Sequence, residues 1–230
     1  MKIAILTGAG MSVESGLATF RGGGGLWDNY PVEKVATPEG FAANPALVLE
    51  FYNKRRRELL TAEPNKGHKL IASLEKQHEV VVITQNVDDL HERAGSTNVI
   101  HLHGELMKVC SSRNPNDLRC VERLPSADTD ISIGDKASDG SQLRPYIVWF
   151  GEAVPLMDDA VIALRNIDMF IIIGTSLNVY PAAGLLNYAP SGIPLFLIDP
   201  NDVDVRGVRN VVAIRKGASE GMQEIIDNYL

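Results

Sequence analysis

The sequence predicts a parallel α/β sheet with right-handed crossovers, and three observations carry that expectation. Short apolar runs of strand length recur at residues 3–6, 80–83, 169–173, 194–198 and 211–214. Each gives way to glycine or polar residues, the place where parallel sheets collect their ligands. Between several of these runs lie stretches whose apolar residues repeat with the period of a helix.

Composition bounds the rest. A chain of 230 residues is long enough for one sizeable core and a smaller lobe. Hydrophobic content of 45% and charged content of 22% are globular averages. A formal charge of −7 makes no electrostatic case for nucleic acid or for an anionic membrane as partner. The first apolar run, Ile3-Ala4-Ile5-Leu6, is shorter than the roughly 7–15 residues of a signal-peptide core. No run approaches the roughly 18 apolar residues of a membrane span, so a cytoplasmic protein is expected. Cys110 and Cys120 offer no disulfide framework and are expected to be reduced.

The first run breaks into Thr7-Gly8-Ala9-Gly10-Met11-Ser12. Gly8 and Gly10 lack a Cβ, so the chain can turn sharply and backbone N–H groups can approach an anion, although an ordinary strand-to-helix turn uses the same residues. Gly16 comes six residues after Gly10, which departs from the usual dinucleotide fingerprint. Gly22-Gly23-Gly24-Gly25, followed by Leu26-Trp27, reads as a candidate lid or a flexible linker. A helix is predicted over residues 45–61, with Tyr52 and Arg55 on one face. A phenol and a guanidinium so placed can converge on one carboxylate, while a core tyrosine beside a solvated arginine run is the plainer reading.

A helix over residues 68–74 leads to the strand at 80–83, which ends in Thr84-Gln85-Asn86-Val87-Asp88. Gln85, Asn86 and Asp88 should face the crevice of Gly8 and Gly10, though Asn and Asp also cap helices. A strand over residues 99–103 places His101 and His103 on one face, with His91 nearby. No acidic or cysteine ligand accompanies them at a metal-binding spacing, so a general base is the better reading than a metal site. Residues 108–143 are polar and irregular, an insertion. Beyond it come Tyr146 to Glu152, a helix near residues 158–166, and strands ending in Gly174-Thr175-Ser176, in Asp199-Pro200-Asn201 and in Lys216-Gly217-Ala218.

Gly8-Ala9-Gly10-Met11-Ser12 with Ser15-Gly16 and Phe20-Arg21, Gln85-Asn86-Val87-Asp88, His101-Leu102-His103-Gly104, Trp149-Phe150-Gly151-Glu152 and Gly174-Thr175-Ser176 stand in the order and spacing of a sirtuin. Over nearly its whole length the chain resembles that family of NAD-consuming protein deacylases. The resemblance implies a Rossmann-like parallel sheet with helices on both faces, drawn from about residues 1–21, 65–105 and 150–230. A small lobe would be formed by two insertions, about 22–64 and 106–149. NAD would lie in the crevice, and the acylated lysine of a protein substrate would enter between the lobes. Gly8, Ala9, Phe20 and Arg21 would line the pyrophosphate and nicotinamide region, Gly174 and Ser176 the phosphates and adenosine, and Gln85 the nicotinamide ribose. Asn86 and Asp88 would hold the nicotinamide carboxamide, and Gly10, Ser12, Trp27, Thr175, Asn201 and Ala218 complete the cofactor-binding set. Asp199 stands where many sirtuins have asparagine beside the adenosine ribose, which fits NAD over NADP. His103 matches the catalytic base, and Asn86 is counted with it.

Most sirtuins bind zinc through two Cys-x-x-Cys pairs in the small lobe. Here that region has only Cys110 and Cys120 and no histidine, so zinc is not expected. Ala36-Thr37-Pro38 and Phe51-Tyr52-Asn53-Lys54-Arg55 look like the sirtuins that prefer succinyl- and malonyl-lysine. That likeness implies that Tyr52 and Arg55 bind the acyl carboxylate, that Ala36 widens the pocket, and that Phe150, Gly151 and Glu152 meet the substrate. An NAD hydrolase, an ADP-ribosyltransferase and a non-catalytic sensor of NAD or ADP-ribose are the competing readings.

Overall fold

The computed structural model describes residues 1–19, 30–203 and 210–230. Phe20, Arg21, Trp27 and the glycine run at 22–25 lie outside the described residues. The strands are β1 (Lys2–Thr7), β2 (Glu79–Thr84), β3 (Val99–His101), β4 (Gly104–Ser111), β5 (Glu122–Arg123), β6 (Leu143–Ile147), β7 (Met169–Ile173), β8 (Leu195–Ile198) and β9 (Val211–Ile214). The α-helices are α1 (Val32–Val35), α2 (Pro38–Ala43), α3 (Pro45–Thr61), α4 (Lys66–Leu74), α5 (Leu90–Ala94), α6 (Met157–Leu164) and α7 (Ala218–Tyr229).

Strand alternation builds the larger sheet. Its six parallel strands run in the order β3-β2-β1-β7-β8-β9. Ile3, Ile5, Val82, Ile171 and Phe196 project to one face, where Ile71 and Leu74 of α4 and Met222 and Ile225 of α7 cover them. Ala4, Leu6, Ile83, Phe170, Ile172 and Leu197 project to the other, against Ala160 and Leu164 of α6. Burial on both faces explains why these strands read as continuous apolar runs. All six strands deliver their carboxyl ends to one edge, and the order reverses between β1 and β7.

The smaller sheet is antiparallel, in the order β5-β4-β6. Here the structure departs from the sequence expectation twice. The strand predicted over 99–103 stops at His101, and the segment expected to be irregular from residue 108 begins inside β4. Gly104 causes both. Its φ of 83° lies in the left-handed region, and an added Cβ would sit 2.1 Å from the Tyr146 carbonyl oxygen. The chain therefore leaves the parallel sheet there and pairs with β6.

α3 joins the two sheets. Asn44 caps it, its Oδ1 accepting from the Leu47 amide at 3.1 Å, with Pro45 in the first turn. One side of the helix, with Val48, Phe51, Tyr52 and Leu59, packs on Ala36, Leu106, Ile147 and Trp149. Arg56, fully buried, donates from Nε to the Thr129 carbonyl at 2.6 Å and from its Nη atoms to Leu106 O and Asn53 Oδ1. Asn53 in turn donates to Ile131 O and accepts from Ile131 N, both at 3.0 Å. Among the described residues no helix is long and apolar enough to cross a membrane.

Candidate active site

The turn after β1 is built by close approach. The Gly8 amide donates to Ile173 O at 3.0 Å and the Gly10 amide to Gly174 O at 2.9 Å. A Cβ on Gly10 would lie 2.6 Å from Gly174 Cα, and one on Gly174 would lie 2.4 Å from the Met11 nitrogen. These amides hold the ends of β1 and β7 together instead of pointing out toward an anion, a correction to the reason given for both glycines from sequence.

Beyond this turn lies a pocket lined by Ala9, Ser12, Leu17, Ala18, Arg55, Leu59, Asn86, Val87, Asp88 and Leu106. Its polar groups interlock: Asn86 Nδ2 donates to Ser12 Oγ at 3.1 Å, and Ser12 Oγ donates to Asp88 Oδ2 at 2.9 Å. Burial raises the Asp88 pKa above the usual carboxylate range, with the Ser12 bond opposing. Asp88 Oδ1 also accepts from the Leu90 amide at 3.2 Å at the start of α5, while the N-cap position itself is Asp89, whose side chain makes no capping bond. Gln85 reaches across from β2, its Nε2 donating to Thr175 Oγ1 at 3.1 Å. Ser176, Asp199 and Asn201 stand after β7 and β8, on the same sheet edge but outside the pocket lining, and the Asn201 amide donates to Asp199 Oδ1 at 2.9 Å. Ala218 is buried at the start of α7.

The three histidines separate into different roles. His103 Nδ1 lies 3.1 Å from Gln85 O. A carbonyl only accepts, so Nδ1 carries the proton and Nε2 is the basic nitrogen. Burial lowers the pKa of this ring. His101 contacts two acceptors, Asn86 O at 3.3 Å and Glu92 Oε1 at 2.6 Å. Burial alone would lower its pKa, but the Glu92 carboxylate raises it, and the Nδ1 contact braces the backbone of Asn86. His91 packs on His68 with ring centroids 4.7 Å apart and meets Thr7 Oγ1 at 3.1 Å. Burial holds the His91 pKa well below its ordinary value and lowers His68 to about 4. Among the described residues no group of three or more His, Cys, Asp or Glu is placed to hold a metal ion.

On the small-lobe side, Arg55 is 8% exposed and pairs with Glu58 Oε2 at 3.2 Å. Burial lowers its pKa, opposed by Glu58, Tyr52 and Asp88. Tyr52 accepts a hydrogen bond from Trp149 Nε1 at 3.0 Å, and its pKa is raised by burial. Ala36 packs in the same cluster, and its carbonyl accepts from the Phe150 amide at 3.0 Å. Phe150 is half-exposed and Gly151 takes a φ of 91°. Glu152, expected to offer its backbone to a substrate peptide, donates its amide inward to Trp149 O at 3.0 Å. Its carboxylate grips Arg144 Nη1 and Nη2 at 2.7 and 3.0 Å and accepts from the Trp149 amide at 2.8 Å. Sequence reasoning did not find Arg144, because its partners Trp149 and Glu152 form no recognisable spacing with it.

Comparisons with known proteins agree with this geometry. A family model described as the Sir2 family matches residues 8–181. A protein of Bacteroides thetaiotaomicron named NAD-dependent protein deacylase is 60% identical over 223 residues, covering 97% of this chain and 95% of that protein. A Helicobacter pylori protein of the same name is 49% identical over 228 residues, covering 99% of this chain and 95% of its own length. Among solved structures, a complex of a Sir2 homologue with NAD superposes with a TM-score of 0.86 at 39% identity, over 98% of this chain and 88% of that one.

Proposed function

This chain belongs to the Sir2 family and is an NAD-dependent protein deacylase, and from that premise we propose that it prefers acyl groups bearing a carboxylate, succinyl and malonyl ahead of acetyl. The observation that carries the preference is the position of Arg55. A buried guanidinium on the wall shared with Asn86 and Asp88 meets an acyl chain that enters the pocket, and a carboxylate adds a charge-assisted bond that an acetyl group cannot supply. Ala36, with a single methyl, packs in the cluster that holds Tyr52.

The described residues fit NAD. A small pocket with apolar walls at Leu17, Leu59 and Leu106 contains hydroxyl, amide and carboxyl groups able to pair with a carboxamide. When bound, NAD would supply an activated ribose carbon that takes up the acyl oxygen as nicotinamide leaves, and with one water consumed after the lysine amine departs the products would be nicotinamide, free lysine and O-acyl-ADP-ribose. Ser12, Asn86 and Asp88 orient the carboxamide, and the apolar walls exclude water. His103, with Nδ1 tied to Gln85 O, offers Nε2 to remove a proton from a ribose hydroxyl. The two sheets support a division into a nucleotide lobe and a small lobe, with the pocket where α3 meets the turn after β1.

Mass spectrometry of products from NAD with acetyl-, succinyl- and malonyl-lysine peptides tests the reading. O-acyl-ADP-ribose is expected, with kcat/KM for succinyl-lysine about tenfold or more above acetyl-lysine. Arg55→Met and Tyr52→Phe should lower desuccinylation far more than deacetylation, and His103→Ala should stop both. Equal losses in Arg55→Met would return Tyr52 and Arg55 to a packing role, and ADP-ribose without acyl transfer would mark an NAD hydrolase.

A further inference from the structure

We infer that Trp149 is a positioning residue for acyl specificity: its indole N–H turns the Tyr52 hydroxyl so that the phenol proton is presented to the acyl carboxylate. The inference rests on the carboxylate preference above and names what sets it.

The direction of the Trp149 to Tyr52 bond is not open to choice. An indole nitrogen only donates, so the 3.0 Å contact places the Trp149 proton on a lone pair of the Tyr52 oxygen. A phenol has one proton, and here it cannot point at Trp149. Both side chains are buried, Tyr52 at 5% and Trp149 at 2% exposure, so bulk water does not reorient the hydroxyl freely.

Trp149 is itself held on three sides. The Arg144 guanidinium lies 3.4 Å from the ring centroid, the Trp149 amide donates to Glu152 Oε2 at 2.8 Å, and Phe41 packs 5.3 Å away between centroids. Arg144 has no slack either: it is gripped by both oxygens of Glu152 and donates to Ile147 O at 2.7 Å. This assigns different work to two buried guanidiniums near Tyr52. Arg144 is neutralised by a carboxylate that is 19% exposed, whereas the Glu58 partner of Arg55 is 41% exposed. Arg55 lines the pocket and Arg144 does not, so an incoming carboxylate meets Arg55, with Tyr52 O–H three residues away on the same helix.

The test removes the N–H and nothing else. Replacing Trp149 with 3-benzothienylalanine keeps the indole shape with sulfur in place of N–H. This variant is made alone and with Tyr52→Phe, and the succinyl-to-acetyl ratio of kcat/KM is measured. The ratio should fall about fivefold, chiefly through a higher KM for the succinyl peptide, and should fall no further when Tyr52→Phe is already present. An unchanged ratio in an enzyme whose Tyr52→Phe variant has lost its preference overturns the role of Trp149 alone. An added loss on top of Tyr52→Phe also overturns it, because Trp149 would then act by a route other than the hydroxyl. A wild type without succinyl preference overturns the carboxylate reading and this inference together, and shows itself before any substitution is made.

Discussion

Ile5, Ile171 and Phe196 cover one face of the six-stranded sheet and Leu6, Ile172 and Leu197 the other, whereas residues 129–131, near the three-stranded sheet, are held to α3 by Arg56 and Asn53. In the first region, packing is non-directional and comes from area removed from water. In the second, the segment between β5 and β6 offers little beyond Ile131 to bury, and its position is set by hydrogen bonds to named backbone atoms. Ser111 adds another such knot, donating to Asp139 Oδ2 at 2.6 Å and accepting from the amides of Arg113 and Asn114. The lesson is that a polar insertion can be ordered without a large core, provided that buried donors and acceptors meet one to one.

The strongest break of the comparison is Ile172→Ala. It opens a cavity between β7 and its helices and should cost about 3–5 kcal/mol in chemical denaturation, felt by the whole parallel sheet. Arg56→Met keeps the stem but strands the carbonyls of Thr129 and Leu106, and about 2–3 kcal/mol is expected. Its signature is local: hydrogen exchange should quicken near residues 129–131 while β1 and β7 stay protected. Uniform loss of protection in this variant would mean that the two regions unfold as one.

Acid should act on the other region. The folded state holds His68 and His91 neutral below their ordinary pKa, so the unfolded chain binds more protons as pH falls past about 6.5. Stability present above that pH is then lost progressively toward the His68 value of about 4, on the order of 1–2 kcal/mol by pH 5. His101, whose pKa is raised, opposes this in part. A melting-temperature series from pH 7 to pH 5 checks the sign, and His68→Gln should flatten it. The smallest effect is expected from a chelator. Burial pushes the Cys110 thiol up to about 12, away from the thiolate a metal needs, and the melting temperature should not move.

How much of this could be read from the chain follows the same division. β1, β2, β7 and β8 were visible because burial on both faces writes an apolar run, β9 was visible as an apolar run although it is a partly exposed edge strand, and α3 was visible from its period and from Pro45. β4 was not, since Gly104 to Ser111 mixes Glu105 and Lys108 with buried Leu106, Met107 and Val109, and a bulge shifts its register. Ser12, Asn86 and Asp88 were named in advance and the structure brings them into one pocket. Phe20, Arg21 and Trp27 lie outside the described residues. The Trp149 contact with Tyr52 spans 97 positions, and a sequence pattern carries no signal for which way an indole N–H points.

Gly10 and Gly174 each exclude a side chain on the other's loop, and Gly8 faces the same crowding, with a Cβ there 2.7 Å from Gly174 O. The exclusion is mutual, so a change at one position cannot be rescued by a change at another: nothing smaller than glycine remains to be substituted. Drift at Gly10 and Gly174 is closed by steric reciprocity before any ligand is considered, and Gly8 is closed by the Gly174 carbonyl and Thr175. A glycine signature of this kind would persist even in a descendant that had ceased to bind nucleotide, and ancestry is therefore written in it more durably than activity.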